Sequence, residues 1–415
     1  MDTTFENKGK NTPWAMIIIL VLAAVAAPLS LNKVSPIAPA LMDYFKIGET
    51  QLGMLISVFS FTGIILALPG GLLIRRFGPW KCVLAALLAL LAGSVMGTYS
   101  GSFQLLLVSR VVEGIGMTLV AMAGPAIIGA SVNPARRGIA MGLFSAYMGI
   151  GQVITYNLAP RIVDLNGWRG VWWFSTGYII LFTVIWMILM TRTKTFAAKP
   201  GAASVQPGKA EASGADKAGS RIQSGGRSGS VFKNRSLWYL ALAMCLYIIS
   251  YVSIQMFLPS YLSEDRGIDM AKASSMVSVM CLAGTVCSLI AGEVSDRLGS
   301  RRILGGLSLI VSGGLFALLP FFPTASYMVL IVILGLVPPI LPVCVFAAAS
   351  EVIDNPSEGG IAMGLISMGQ NMGLAAGPVV FGAITQSLGW NSAFFFAIPV
   401  SVIGGLAMLA NRRVK

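Results

Sequence analysis

Apolar runs of about 20 residues recur along almost the whole chain, and short polar segments separate them. A run of this length forms an α-helix that can cross a hydrocarbon core about 30 Å thick, whereas a β-barrel would show short strands of alternating polarity. We therefore predict twelve membrane-spanning helices, numbered spans 1 to 12. They lie near residues 14–40, 52–74, 80–98, 103–132, 138–160, 169–192, 236–262, 271–295, 302–322, 325–350, 360–386 and 391–411.

The composition agrees with a chain that is covered mostly by lipid. Of the 415 residues, 56% are hydrophobic and 11% are charged, and the mean hydropathy is +0.80. A soluble globule of this size needs more polar surface than that. The five cysteines all lie in apolar stretches and form no CxxC pair, which indicates packing residues rather than a metal site. We expect neither a metal nor another cofactor.

The net charge of +13 could indicate a nucleic-acid partner, but the charges are distributed as in a membrane protein. If the N-terminus is cytoplasmic, Arg110 lies within a span, six of the 29 Lys and Arg residues lie outside, and the other 22 lie on the cytoplasmic side. The six are Lys33, Lys46, Arg161, Arg169, Arg266 and Lys272. This asymmetry predicts that both termini face the cytoplasm. No nucleic acid is expected as a partner.

A polar segment separates two related parts of the chain. Residues 193–235 are rich in Gly, Ala, Ser, Lys and Arg, without apolar periodicity, and predict a flexible cytoplasmic linker. On either side of it the hexamer Gly-Ile-Ala-Met-Gly-Leu occurs at 138–143 and again at 360–365. We therefore predict a duplicated unit, with one six-helix bundle at 1–192 and a second at 236–415.

Three motifs resemble those of one transporter family. Residues 292–302 read Gly-Glu-Val-Ser-Asp-Arg-Leu-Gly-Ser-Arg-Arg, which resembles the G-x-x-x-D-R-x-G-x-R-R loop of the major facilitator superfamily. Its counterpart between spans 2 and 3 is 71–81, and residues 110–116 of span 4 are similar to the R-x-x-x-G-x-G element of that superfamily. Together with twelve spans and a central basic linker, the resemblance covers the whole chain.

This resemblance implies an all-α integral membrane protein in which two six-helix bundles surround a central cavity. In the superfamily, spans 1, 4, 7 and 10 line the cavity, and the bundles rock to give alternating access. The implied function is transport of a small solute across the cell inner membrane. We expect a monomer whose partners are that solute and the lipid bilayer.

The first loop motif departs from the pattern, because Arg75 stands where the superfamily has Asp. That Asp is thought to latch the two halves on the cytoplasmic side. The loop between spans 10 and 11 carries Glu351, Asp354 and Glu358 and no Lys or Arg, which suggests a replacement for this latch. In the pseudo-equivalent pairing, Asp296 would face Arg136 and Arg137. We hypothesise that these two sets of opposite charge close a cytoplasmic gate. Exposed pairs are worth about 0–1 kcal/mol each, so several would bias a near-balanced equilibrium. Alternatively, the acidic residues are solvated loop charges. The full set is Arg75, Arg76, Arg136, Arg137, Asp296, Arg297, Glu351, Asp354 and Glu358.

Ionisable residues within spans are functional candidates, because burying one costs about 2.5–3.5 kcal/mol even on insertion scales. Arg110 and Glu113 are spaced i, i+3 on span 4 and can meet across one turn. They form either a structural ion pair or a site in which Arg110 attracts an anion and Glu113 couples transport to protons. Lys33 lies in the outer third of span 1, close to Pro36 and Pro39, which we expect to bend the helix. It either extends to the membrane surface or contacts the substrate.

Span 1 also resembles that of anion-transporting branches, the cyanate and nitrate permeases and the organic-anion symporters. In those branches a basic residue of span 1 meets the substrate. Two basic groups, Lys33 and Arg110, would suit a carboxylate, a sulfonate or a similar small anion. Neutral polar residues could complete the site, although each could instead form an interhelical hydrogen bond. They are Asn32, Tyr147, Tyr247, Tyr251, Gln255, Gln370 and Asn371, of which 247, 251 and 255 share one face of span 7.

The expected function is secondary active transport of a small organic or inorganic anion, with protons as a candidate coupling ion. The alternative is proton-coupled efflux of drugs. A membrane enzyme is not expected, because the chain has no histidine and shows no catalytic constellation. A solute sensor would need a folded signalling domain, for which the 193–235 linker is too short.

Overall fold

The structure is a computed structural model that describes residues 14–133, 136–192, 234–353 and 359–414. Within these ranges the chain is helical apart from short connections, and no strand is present. The α-helices are Trp14–Asn32, Ala38–Phe45, Glu49–Phe77, Pro79–Thr98, Phe103–Ser131, Arg137–Arg192, Arg235–Tyr247, Ser253–Glu264, Met270–Leu298, Arg301–Leu318, Tyr327–Leu336, Ile340–Val352 and Gly359–Ala410. Residues 193–233 of the predicted linker lie outside the described residues, whereas its last residue, Arg235, already begins a helix.

Ten helical stretches in the described ranges are long and apolar enough to cross a membrane, some of them made of consecutive helices, and two of these stretches contain two spans each. The two stretches, 139–191 and 361–410, are 53 and 50 residues long. Each has one residue with a non-helical backbone, Gly167 at φ 67° and Gly389 at φ 82°. These positive φ values suit glycine, and each marks the boundary between two spans. The twelve predicted spans are therefore present, and the all-α membrane fold is confirmed.

The spans alternate in direction, so the bundle has two faces. We call the face at which spans 1 and 7 begin the terminal face, because Asn411 near the chain end donates there to the carbonyl of Ser236 at 3.0 Å. We call the other face, which includes Lys46 and Ser100, the opposite face.

Positive backbone φ angles repeat along the described chain. Six residues have them, and they form three pairs at a nearly constant spacing. The pairs are Lys46 with Gly267 and Gly78 with Gly299, each 221 residues apart, and Gly167 with Gly389, 222 residues apart. Residues related in this way, by 221 in spans 1–4 and by 222 in spans 5 and 6, are called pseudo-equivalent below.

Close helix packing follows the same spacing. A Cβ at Gly114 of span 4 would collide with the carbonyl of Phe59 in span 2. A Cβ at Gly335 of span 10 would collide with the carbonyl of Met280 in span 8. Both the glycines and their partners are 221 residues apart. The two halves therefore bring their helix backbones together at pseudo-equivalent points.

The halves contact each other directly toward the opposite face. The Ser35 hydroxyl of span 1 donates to the carbonyl of Met256 in span 7. Asn157 of span 5 donates to the Ser278 hydroxyl of span 8 at 2.9 Å. Spans 2 and 11 also pack closely, because Gly53 leaves no room for a Cβ beside the carbonyl of Pro378. We interpret these contacts as a closure between the halves at the opposite face.

Candidate functional site

A buried ionic cluster joins spans 1 and 4 inside the N-terminal half. It contains Lys33, Arg110 and Glu113, and all three side chains are 0% exposed. Lys33 Nζ lies 2.5 Å from Glu113 Oε1, and Arg110 Nη1 lies 2.5 Å from Glu113 Oε2. A single carboxylate thus contacts two cations. With all three groups ionised, the cluster has one positive charge in excess.

Lys33 reaches Glu113 because span 1 is interrupted beside it. The first α-helix ends at Asn32, and a 3₁₀ turn at Ser35–Ile37 follows. Pro36 has no N–H, so the regular helix hydrogen bonds cannot continue through this turn. The amide of Asn32 donates to the carbonyl of Pro28 at 2.9 Å, which holds the last helical turn. Asn32 therefore shapes the helix end rather than extending into the cluster.

Arg110 holds the interrupted part of span 1 through backbone carbonyls. It donates from Nη1 to Ser30 O at 2.5 Å and from Nη2 to Leu31 O at 3.0 Å. Its Nε also donates to Leu55 O of span 2 at 3.3 Å. Arg110 thus links spans 1, 2 and 4, in addition to its contact with Glu113.

Two aromatic rings complete the walls of the cluster. Lys33 Nζ lies 4.4 Å from the ring centre of Trp172 in span 6, and Arg110 Cζ lies 4.5 Å from that of Phe59 in span 2. Both distances suit cation–π attraction, which is stronger where water is excluded. Sequence reasoning missed both rings, because each lies in an apolar run that reads as ordinary core. Nothing in the local pattern marks either as a cation partner.

The structure distinguishes the two alternatives for the position of Lys33. The side chain does not extend to the membrane surface, because it is 0% exposed and contacts Glu113. Arg110 and Glu113 meet across one helical turn, as their i, i+3 spacing predicts. The contact between Lys33 and Glu113 was not predicted, since 80 residues separate them.

The span 7 candidates lie around a π-helical segment, Ile248–Val252. Tyr247 and Tyr251 stack with ring centres 5.3 Å apart, and each is 5% exposed. Gln255 donates to the Cys281 sulfur of span 8 at 2.9 Å. These three residues therefore form a buried polar seam on span 7. π-Helical turns of this kind often occur at functional sites.

The remaining neutral candidates lie elsewhere in the bundle. Tyr147 is buried against Phe144, with ring centres 4.9 Å apart. Asn371 donates to Ser367 O at 3.0 Å and lies close to Gly63 of span 2 in the other half, while Gln370 is half-buried. Across the described residues, no hydrogen bond joins any neutral candidate side chain to the ionic cluster.

Only part of the hypothesised gate falls within the described structure. Glu351 pairs with Arg301 at 2.6 Å, and both belong to the C-terminal half. Arg137 is exposed and donates to Val132 O at 3.1 Å. Arg76 and Arg136 are also exposed. The side chains of Arg75, Asp296 and Arg297, and the whole of Asp354 and Glu358, lie outside the described residues, so the cross-half pairing stays a prediction.

The ionic cluster has no charged counterpart in the other half. The residues pseudo-equivalent to Lys33, Arg110 and Glu113 are Ile254, Ile331 and Leu334. Their exposed fractions are 1%, 0% and 0%, so they are packed as tightly as the charged residues. The same helix framework therefore accommodates either three charges or three aliphatic side chains.

Comparison with known proteins identifies the family. The family model described as Major Facilitator Superfamily matches residues 20–356 and 262–415. The chain belongs to the major facilitator superfamily. The loop motifs and the span 4 element that resembled this superfamily are thus explained by membership. The duplicated turns and twelve spans described above are consistent with it.

Relatives within the superfamily include transporters named for acid anions. A probable sulfoacetate transporter of Cupriavidus necator is 25% identical over 399 residues, which cover 94% of this chain and 92% of that protein. A hexuronate transporter of Bacillus subtilis is 24% identical over 414 residues, with 95% and 93% covered. A probable L-galactonate transporter of Escherichia coli is 25% identical over 336 residues, with 79% and 70% covered.

Proposed function

We propose that this superfamily member is a secondary active transporter that moves a small organic anion, a carboxylate or a sulfonate, by alternating access. We further propose that transport is coupled to protons at Glu113. The observation that carries the proposal is the buried cluster with two cations and one carboxylate. Two relatives that match this chain over more than nine-tenths of both sequences are named for sulfoacetate and hexuronate, and these names support the substrate class.

The apolar residues at the pseudo-equivalent positions of the C-terminal half support a role of the cluster in function rather than in packing. Buried ion pairs pay a desolvation penalty that often makes an apolar replacement neutral or stabilising. The other half uses Ile254, Ile331 and Leu334 at the same places and packs equally tightly. Close packing at these positions therefore does not require charges, and the structural contacts of Arg110 with backbone carbonyls do not account for Lys33 and Glu113.

Lys33 is the group best able to exchange its partner for a substrate. Arg110 is fixed by three backbone carbonyls, whereas Lys33 makes one hydrogen bond within the described part of the chain, to Glu113, in addition to its ring contact with Trp172. An ammonium group has three N–H donors, so Lys33 can accept an anionic partner when Glu113 takes a proton. Protonation of Glu113 and binding of an anion would then favour each other.

The enclosed position of Lys33 requires a conformational change before a solute reaches it. The opposite face is closed by contacts such as Ser35 with Met256. We propose that the terminal face is cytoplasmic, on the basis of the Lys and Arg distribution, and that the membrane is the cell inner membrane. The structure then corresponds to a state closed toward the outside. We also propose that one chain is sufficient for transport, because it contains both halves.

The test is uptake of labelled sulfoacetate, galactonate and glucuronate into proteoliposomes, with and without an imposed proton gradient. We expect wild-type protein to accumulate at least one of these acids. Lys33→Gln and Arg110→Gln should each lower the initial rate by more than tenfold. Lys272→Gln, which removes an exposed positive charge at the opposite face, should keep the rate within twofold.

Folding of each variant is checked by size-exclusion chromatography in detergent. Wild-type protein that takes up none of the acids would contradict the proposed substrate class. Uptake that is equal in wild type and Lys33→Gln would contradict the role of the cluster. Proton-driven export of a cationic dye in place of acid uptake would favour the drug-efflux alternative.

A further inference from the structure

An apolar pocket opens on the outer wall of the N-terminal half, near the terminal face. Its volume is about 320 Å³. Its walls come from the end of span 2, the beginning of span 3 and the middle of span 4. The lining residues are Leu73, Phe77, Lys81, Cys82, Ala85 and Leu119, of which only Lys81 is charged. We call it the span 2–3 pocket.

The pocket reaches into the depth of the membrane occupied by lipid chains. Ala85 lies six residues into the helix that begins at Pro79, which corresponds to about 9 Å along its axis. Leu119 lies twelve residues before the end of span 4 at Ser131, or about 18 Å. Phe77 at the mouth is 51% exposed. An occupant of this space must be apolar over most of its length.

The mouth of the pocket carries two cations. Lys81 lines the pocket and is exposed, and Arg76 is exposed one residue before Phe77. The Arg76 guanidinium carbon lies 5.5 Å from the Phe77 ring centre, so Arg76 lies close to the pocket wall. Over the described part of the chain, neither cation forms an ion pair with a carboxylate. An occupant with a negative charge at its membrane-surface end would be matched by both.

We propose that the span 2–3 pocket is a binding site for an anionic phospholipid. One acyl chain lies along Leu73, Ala85 and Leu119, and the phosphate lies between Arg76 and Lys81. Basic pockets between membrane helices are suited to anionic head groups, and the apolar cleft below the cations supplies room for a chain. The site is separate from the ionic cluster and does not depend on the transported solute.

The pseudo-equivalent place in the C-terminal half is packed with protein. The pseudo-equivalent of Ala85 is Gly306, which packs directly against Leu409 and the carbonyl of Gly405 in span 12. Protein thus occupies the space beside Gly306, whereas Ala85 is exposed and lines an open pocket. Lipid is the apolar material available to fill that opening in a membrane.

The test is lipid binding by the purified full-length protein in mild detergent, measured by native mass spectrometry and by the midpoint of thermal unfolding. Phosphatidylglycerol is titrated against phosphatidylcholine. We expect wild-type protein to bind one phosphatidylglycerol at least tenfold more tightly than phosphatidylcholine. The double variant Arg76→Gln/Lys81→Gln should lose this preference, whereas Arg412→Gln, an exposed arginine on the terminal face of the other half, should keep it.

Two further measurements distinguish a specific lipid site from general electrostatic attraction. Ala85→Phe fills the cleft without changing charge and should also lower phosphatidylglycerol affinity by about tenfold. Glycerol phosphate without acyl chains should not raise the unfolding midpoint. Equal lipid preference in the double variant and in Arg412→Gln, or unchanged affinity in Ala85→Phe, would overturn the proposal. Stabilisation by glycerol phosphate equal to that by the lipid would do so as well.

Discussion

The Glu113 carboxylate is the shared counter-ion of two buried cations, Lys33 and Arg110, so a substitution of Glu113 affects both. Removing Glu113 leaves Lys33 and Arg110 close together without a counter-ion, in a site with no exposure to water. Breaking a buried ion pair in this way typically costs about 3–5 kcal/mol. Replacing all three groups removes the uncompensated charge along with the pair. Single and combined substitutions should therefore differ in stability as well as in activity.

We predict that the triple variant Lys33→Ile/Arg110→Ile/Glu113→Leu unfolds at a higher temperature than the single variant Glu113→Leu. The triple variant installs the trio that the other half has at Ile254, Ile331 and Leu334. Thermal unfolding in detergent gives the order of the midpoints. The reason is that the triple variant leaves no unpaired buried charge, whereas Glu113→Leu leaves two cations without a counter-ion. The triple variant should also transport nothing. A triple variant less stable than Glu113→Leu would show that the charges are needed for folding.

Whether a contact could be predicted from the sequence depends on how far apart its two residues lie along the chain. Arg110 and Glu113 are one helical turn apart, so their contact could be predicted from spacing alone. Lys33 and Glu113 are brought together only by the packing of spans 1 and 4, and Trp172 reaches Lys33 from span 6. Apolar periodicity gives no information on which faces of different spans meet. The site was therefore predicted as candidate residues and not as a cluster.

At the scale of elements, the apolar runs predicted every span, but the form of several spans differs from a continuous helix. The interruption of span 1 could be anticipated from Pro36, which removes a backbone donor. The π-helical segment of span 7, Ile248–Val252, has no proline or glycine that would indicate it. Spans 5 and 6 were predicted with a connection of several residues, whereas a single residue, Gly167, separates them. Glycine at positive φ is compact enough to replace a longer loop.

At the scale of the whole molecule, the described contacts between the halves concentrate toward the opposite face. Asn157 with Ser278 and Ser35 with Met256 join the halves by hydrogen bonds, and Gly53 allows spans 2 and 11 to touch. The sequence hypothesis concerned a gate of charges at the terminal face. The structure adds a second closure, made of small and neutral polar residues, which no charge pattern could indicate.

We predict that Gly53→Val opens the opposite face. A side chain at this position would collide with the carbonyl of Pro378, so the closed arrangement is disfavoured. Spin labels at Gln104 and Thr324, which are exposed at the opposite face of the two halves, report the separation by pulsed electron resonance. We expect the distance distribution to shift to longer values and transport to fall by more than tenfold. Gly177→Val serves as the control, because a Cβ there meets nothing within 4 Å. An unchanged distribution in Gly53→Val would contradict this view of the closure.

The central claim is that a buried cluster couples an organic anion to protons. The most direct measurement is proton movement driven by the substrate alone, followed with a pH-sensitive dye inside proteoliposomes. Adding the acid that wild-type protein takes up should acidify the lumen, Lys33→Gln and Glu113→Gln should abolish the signal, and Arg412→Gln should retain it. Acidification of the same size in Lys33→Gln and wild type, or anion uptake without proton movement, would contradict the account.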